Sequence, residues 1–299
     1  MKNFDENFED FKKAGKILLE ALAYAKKITK KDVLLLEIAE KLEEFVEDKN
    51  AKLAFPPNLS INEIAAHYSP FSKDTTVASG LLKIDIGIKY NNTIVDGAIT
   101  LDLENSKENK MMIKASLEAL KAATKIIKPD IEVCEIGREI EKVISDFGFR
   151  PIYNLMGHSI DGKLHGGKNI PNYDNKDKTK IGYNEVIAVE PFVTLKNASG
   201  YVEDEKPSSI WRLKNDVRPR LYRDIFNYIK QNYDYLPFSQ RWLEKKFSNA
   251  SAALKIFETQ GILHNYKHLV EKTGAKVSQA ETTFLIKEKP IFIDIFDIV

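Results

Sequence analysis

Four carboxylates sit inside apolar, strand-like runs of this chain. Asp85 interrupts Leu82-Lys83-Ile84-Asp85-Ile86-Gly87, and Asp96 lies in Ile94-Val95-Asp96-Gly97-Ala98. Glu190 closes Val186-Ile187-Ala188-Val189-Glu190, and Glu281 precedes Thr282-Thr283-Phe284. A buried, unpaired carboxylate is costly, so each acid needs a cation, a metal ion or an outward face on a half-exposed strand. For any single acid the outward face is the simpler reading; four in separate strands make a converging site more attractive. Histidine is scarce, with five in the chain. His158 and His165 share the glycine-rich segment 156–167, MGHSIDGKLHGG, where tight turns and close backbone approach are allowed. His67 follows Ser60-Ile61-Asn62-Glu63, which has the pattern of a helix-starting capping box. His264 and His268 read as structural or solvated, and the lone Cys134 as core. One imidazole with several carboxylates is a hard, oxygen-rich donor set that suits Mn, Fe, Co or Zn better than a thiolate site would. Carboxylates also bridge paired ions in two-metal hydrolases. No His-Glu-x-x-His, phosphate-cradling glycine loop or Gly-x-Ser-x-Gly elbow is present.

The 299 residues, 43% of them hydrophobic, can build one large domain or one domain with an insertion. With 45 basic against 44 acidic side chains there is no global pull toward DNA or an anionic membrane. No apolar run approaches the ~20 residues that span a bilayer. The N-terminus lacks the apolar stretch of a signal peptide. A single cysteine suits a reducing compartment, so a cytoplasmic protein is expected.

An internal repeat organises the elements that must hold these side chains. Residues 21–46 and 119–144 align at a constant shift of 98, with ten identities in 26 positions, including Asp32 with Asp130 and Glu43 with Glu141. Each copy reads as helix, turn, helix. Pro129 stops one helix, and Gly148 stands where a C-cap belongs. Strands are expected at 81–90, 93–103 after the Asn91-Asn92 turn, 185–194 and 277–286, with a last one in the tail, PIFIDIFDIV. Helices then strands, twice over, imply an α+β fold with a mainly antiparallel sheet and a site between two similar halves. Residues 201–274 differ in texture, with both tryptophans and short helical patterns at 220–230 and 239–257. The expected division is a catalytic domain of residues 1–200 and 275–299, with 201–274 as an inserted small helical subdomain. That insertion has 13 Lys and Arg against 9 Asp and Glu. The excess reads first as a solvated face, with an acidic partner such as ribosomal RNA as the alternative.

Segment 55–70, FPPNLSINEIAAHYSP, resembles the signature of the short archaeal type II methionine aminopeptidases. So do Lys83-Ile84-Asp85-Ile86-Gly87, Gly157-His158, Leu164-His165-Gly166-Gly167, Ile170-Pro171-Asn172, Val189-Glu190-Pro191-Phe192 and 236–243, LPFSQRWL. The resemblance spans about residues 8 to 287. It implies the pita-bread fold, two pseudo-symmetric halves with a helical insertion, and a pair of divalent ions (Co, Mn, Fe or Zn). It also implies their ligands: Asp85 on one ion, Asp96 and Glu281 bridging, His158 and Glu190 on the other. His67 and His165 resemble the substrate-facing histidines that polarise the scissile carbonyl, and Glu190 the proton shuttle. Phe55, Phe192 and Tyr266 resemble the wall of the methionine pocket. The implied activity is hydrolysis of the initiator methionine from nascent chains with a small second residue, by a water or hydroxide shared between the ions. The implied partners are the nascent N-terminus and, transiently, the ribosome; a monomer is expected.

Three features depart from the family pattern. His165 follows His158 one position early, which either moves His165 or is absorbed by the Asp161-Gly162 turn. Thr282 stands where relatives often have histidine, and the tail is longer and more apolar. Two rivals share the fold: a binding module that has lost its metal ligands, and a proline-specific peptidase. Retention of all five ligands opposes the first; the insertion, with only about 80 residues before Lys83-Ile84-Asp85, opposes the second.

Overall fold

A computed structural model describes residues 4–298 with the exception of Lys163. Helices α1 (Phe4–Ile28) and α2 (Leu35–Asp48) lead through β1 (Lys52–Leu53), β2 (Asn58–Ile61) and β3 (Ile64–Ala66) to the long hairpin β4 (Leu81–Tyr90) and β5 (Thr93–Asp102). The second half repeats the order. Helices α3 (Lys107–Ile126) and α4 (Val133–Asp146) precede β6 (Phe149–Pro151), β7 (Gly157–Ile160), β8 (Asn169–Ile170), β9 (Val186–Val189) and β10 (Phe192–Leu195). Strand β11 (Val202–Leu213), α5 (Arg223–Asn232), β12 (Phe238–Ser239), α6 (Gln240–Glu244), α7 (Ala250–Thr259) and β13 (Leu263–Glu271) follow. The chain closes with β14 (Val277–Gln279), β15 (Thr282–Leu285) and β16 (Ile291–Phe292). Every strand pairing is antiparallel, as expected for this α+β chain.

The repeat is reproduced hydrogen bond by hydrogen bond. Asp32 and Asp130 both turn left-handed, at φ 68° and 65°, a conformation that a short polar side chain tolerates. Asp32 N donates to Ala78 O and Leu35 N to Thr76 O. Their equivalents, Asp130 N and Val133 N, donate to Ile181 O and Thr179 O. Each helical pair is thus tied to a returning segment in the same way.

Side-chain alternation sorts the sheet into two faces. Ile84, Ile86 and Ile88 of β4, Val95 and Ile99 of β5, and Ile187 and Val189 of β9 join the helices in one continuous core. The intervening residues point the opposite way, and Asp85, Asp96 and Glu190 are among them. The halves meet along a seam between β5 and the β14–β15 stretch. There Ala98 and Glu281 exchange backbone hydrogen bonds of 3.2 and 3.0 Å, and Thr100 Oγ1 donates to Gln279 O at 2.6 Å.

Several expectations change. The capping-box pattern at Ser60–Glu63 does not start a helix: Ser60 pairs with Lys83 in the sheet, and Asn62 takes φ 49° to turn β2 into β3. The apolar runs 185–194 and 277–286 each split into two strands, at Glu190-Pro191 and Ala280-Glu281, so both acids stand at strand ends. Region 201–274 is not helical throughout. Its frame is the long β11–β13 ribbon, and α5 to α7 close a second core around Trp211, Phe226, Phe238, Leu243 and Phe257. Buried Arg241 ties this region to α2 through a two-pronged ion pair with Glu43, at 2.7 and 2.8 Å. The tail forms only the two-residue β16, but Ile293 and Ile295 are buried in the main core.

Candidate metal centre and substrate pocket

Asp85 and Ala98 are register partners on β4 and β5, and Ala98 bridges in turn to Glu281. A methyl group flanked by two carboxylate-bearing positions leaves space between the acids. One step along β5, Asp96 is held by Thr283. Asp96 N donates to Thr283 Oγ1, and that hydroxyl lies 2.8 Å from both Asp96 O and Oδ1. Thr283 pairs with Ala188, which pairs with His158 on β7. The sheet therefore carries the imidazole to the carboxylates.

Asp96, His158 and Glu281 each offer a ligand atom, all within 4.8 Å of one another. They are 2%, 7% and 2% exposed, so water cannot neutralise the charge. Asp85 and Glu190 line the same cavity. Gln279 links the group, with Nε2 3.3 Å from both Glu190 Oε2 and Glu281 Oε2. Asp85 Oδ1 is buried with no hydrogen-bond partner among the described residues.

The electrostatics are those of acids crowded in a dry place. Burial, then the neighbouring Asp96, raises Asp85 to about 8. Burial raises Asp96 to about 6 against the opposing pull of the Thr283 hydroxyl. Glu190 and Glu281 are pushed well above the usual carboxylate range by burial and by the other acids. Burial lowers His67 and His158 to about 4, so both rings are neutral at pH 7. Crowded acids beside bare imidazoles lack one thing, a cation, and the orphaned Asp85 oxygen points to the same need.

The cavity holds about 260 Å³. Phe55 and Phe192 wall it, Tyr266 stands beside His67 in an edge-on contact at 5.0 Å, and His165 also lines it. Gly87 lets Phe55 in: a Cβ there would lie 2.3 Å from the ring. The early His165 is absorbed by the loop. Gly166 N donates to Ser159 O, and a Cβ at Gly166 would meet Ser159 Oγ at 2.3 Å. The His165 ring then rests 4.3 Å from that of His158. Thr282 donates its hydroxyl to Ile293 O, which gives both it and the apolar tail a place behind Glu281. His264 is exposed, His268 is buried, and Cys134 is core, away from the cavity.

Gln279 and Thr283 escaped the sequence reading. The signal was available: 279, 281 and 283 alternate onto one face of the strands that carry Glu281. Leu155, Met156, Ile210 and Pro237 also line the cavity from loops and the β11–β13 region, where no periodicity marks them.

The sequence pattern of metallopeptidase family M24 matches residues 9–218. The methionine aminopeptidase of Pyrococcus abyssi is 38% identical over 94% of this chain and 96% of its own. That of Methanocaldococcus jannaschii is 36% identical over 96% and 98%. Among solved structures, a methionine aminopeptidase from Thermotoga maritima superposes with a TM-score of 0.70 at 19% identity, covering 98% of each chain. At such identity the likeness concerns the fold.

Proposed function

The chain belongs to metallopeptidase family M24, among its archaeal-type methionine aminopeptidases, and on that premise we propose that this cavity is where the initiator methionine of a new polypeptide is removed. The protein is a metal-dependent exopeptidase acting on N-terminal methionine. The observation that carries the assignment of the site is the convergence of Asp96, His158 and Glu281 in a buried cavity.

The donor set fits divalent ions. Asp85 would serve one ion, Asp96 and Glu281 both, and His158 with Glu190 the other. Bound there, the ions supply Lewis acidity and make water a nucleophile at neutral pH. His158 is prepared for its part: Nδ1 faces the Ser159 carbonyl at 3.4 Å, so Nε2 keeps its lone pair, 3.5 Å from Asp96 Oδ2. Gln279 and Thr283 hold the carboxylates at their positions.

His67 takes a different part from the one the family resemblance implies. Its Nδ1 lies 3.1 Å from Lys267 O, a pure acceptor, so Nδ1 carries the proton. The neutral ring then presents a bare Nε2, which accepts a hydrogen bond from a substrate N–H and does not polarise a carbonyl. His165 has no ring hydrogen bond among the described residues and is free to donate to the developing oxyanion. Glu190, whose proton affinity burial raises, is suited to carry a proton to the leaving amine. Phe55 and Phe192 receive the thioether chain, and the His67–Tyr266 contact narrows the space beyond it to small second residues.

The setting is the cytoplasm, and among the described residues no helix is long and apolar enough to cross a membrane. A transient ribosome contact belongs to the proposal. Exposed Arg218, Arg220 and Arg223 alternate there with exposed Val217 and Leu221 before and at the start of α5. Sedimentation with and without nascent-chain-bearing ribosomes checks it.

Incubation with Mn, Co or Fe and the peptides Met-Ala-Ser, Met-Lys-Ser and Ala-Pro-Ser tests the activity. Methionine release from the first alone is expected. Cleavage of only the third would move the chain to the proline-specific peptidases.

A further inference from the structure

The lip of the cavity carries positive charge that the proposed chemistry does not use. Arg212 and His264 are register partners on β11 and β13, so Arg212 shares a face with Tyr266, two residues beyond His264. The Arg212 guanidinium lies 5.9 Å from the centre of the Tyr266 ring, and Tyr266 lines the cavity. Lys214 follows Arg212 by two residues just past the end of β11, and Lys267 stands three residues beyond His264 on β13. Among the described residues none of these three cations forms an ion pair with a carboxylate; Lys267 Nζ meets only the Asn265 side-chain oxygen, at 3.4 Å.

A substrate enters N-terminus first, so its following residues must leave past this lip. An extended chain advances about 3.3–3.6 Å per residue, which brings the guanidinium opposite about the third to fifth residue. Arg212 and Lys214 are exposed, and exposed cations without carboxylate partners are complementary to acidic side chains there and repel basic ones.

We propose that Arg212 and Lys214 read the charge of the substrate downstream of the cleaved methionine and its neighbour, favouring polypeptides with early acidic residues over those with early basic ones. The inference rests on the peptidase reading for its substrate, but the cation cluster does not depend on it.

The test pairs Met-Ala-Ser-Asp-Asp-Gly with Met-Ala-Ser-Lys-Lys-Gly, measuring kcat/KM and, by calorimetry, binding to the intact protein. At about 0.01 M salt the acidic peptide is favoured by about three- to ten-fold, and the ratio approaches one at about 1 M, where screening shortens from about 30 to about 3 Å. In the Arg212→Glu, Lys214→Glu double variant the ratio inverts. It is read within each protein, so a general loss of activity cancels. Equal handling of the two peptides at low salt overturns the inference while leaving the peptidase reading intact. Absence of cleavage with preferential binding of the acidic peptide does the reverse. Tight, salt-sensitive binding of a single-stranded oligouridine that neither peptide displaces would reassign the patch to RNA and overturn the proposal.

Discussion

Thr283→Val removes one hydroxyl and keeps the shape of the side chain. In the native chain that hydroxyl accepts from Asp96 N and lies 2.8 Å from Asp96 Oδ1, all at a position of negligible exposure. Its loss leaves a buried N–H without a partner and withdraws the one side-chain donor that draws the Asp96 pKa down. An unsatisfied buried donor costs about 1–3 kcal/mol, and loss of a group that orients a metal ligand lowers metal affinity by about 10–100-fold. Because the ligand must be ionised to bind, the midpoint of metal uptake moves to higher pH. Calorimetric titration with Mn between pH 6 and 8 reads the affinity, and urea unfolding with metal chelated reads the stability. Wild-type affinity with an unchanged pH midpoint would refute the view that Thr283 prepares Asp96.

Three further outcomes are expected. Arg241→Ala strips the ionic partner from partly buried Glu43, leaving it only the Trp242 Nε1 hydrogen bond, and lets water reach the seat of the helical region, costing about 3 kcal/mol in urea unfolding; the double variant with Glu43→Ala should lose less than the sum of the two singles. The metal-free protein should lose stability as pH rises from about 7 to about 8, above the range in which His67, His158 and His165, lowered to about 4, pull the other way. Asp85 and Asp96 are raised to about 8 and about 6, so the folded state holds protons that the unfolded chain releases, and that contribution fades as pH climbs through the folded values. A melting temperature that instead rises over this range in chelator would contradict it, while saturating Mn should flatten the slope. Gly87→Ala puts a Cβ 2.3 Å from the Phe55 ring, so KM for Met-Ala-Ser should rise several-fold with metal binding retained; unchanged KM would remove Phe55 from the pocket wall.

Much of this was legible in the chain because period-two alternation is a local signal. Asp85 betrays itself between Ile84 and Ile86, since a strand that buries its even positions must turn the odd ones elsewhere. The repeat announced its two turns through Asp32 and Asp130, which share a left-handed backbone. What failed to show depends on distance. The Ser60–Glu63 pattern is a capping box by composition, but pairing with β4 outweighs a local helical preference. The long strands β11 and β13 were hidden by the charged run Glu203-Asp204-Glu205-Lys206 and by breaks in their register. Gln279 reaches Glu281 by the alternation of one extended segment, but it reaches Glu190 only because β14 pairs with β10, and nothing near Gln279 in the sequence says so.

Anomalous diffraction from a crystal soaked in Mn shows whether Asp85, Asp96, His158, Glu190 and Glu281 gather around metal ions. Strong density is expected inside the cavity, about 2.0–2.3 Å from oxygens of Asp96 and Glu281 and from His158 Nε2, with Asp85 and Glu190 completing the shells. A crystal saturated with Mn that shows no density among these five side chains would contradict it.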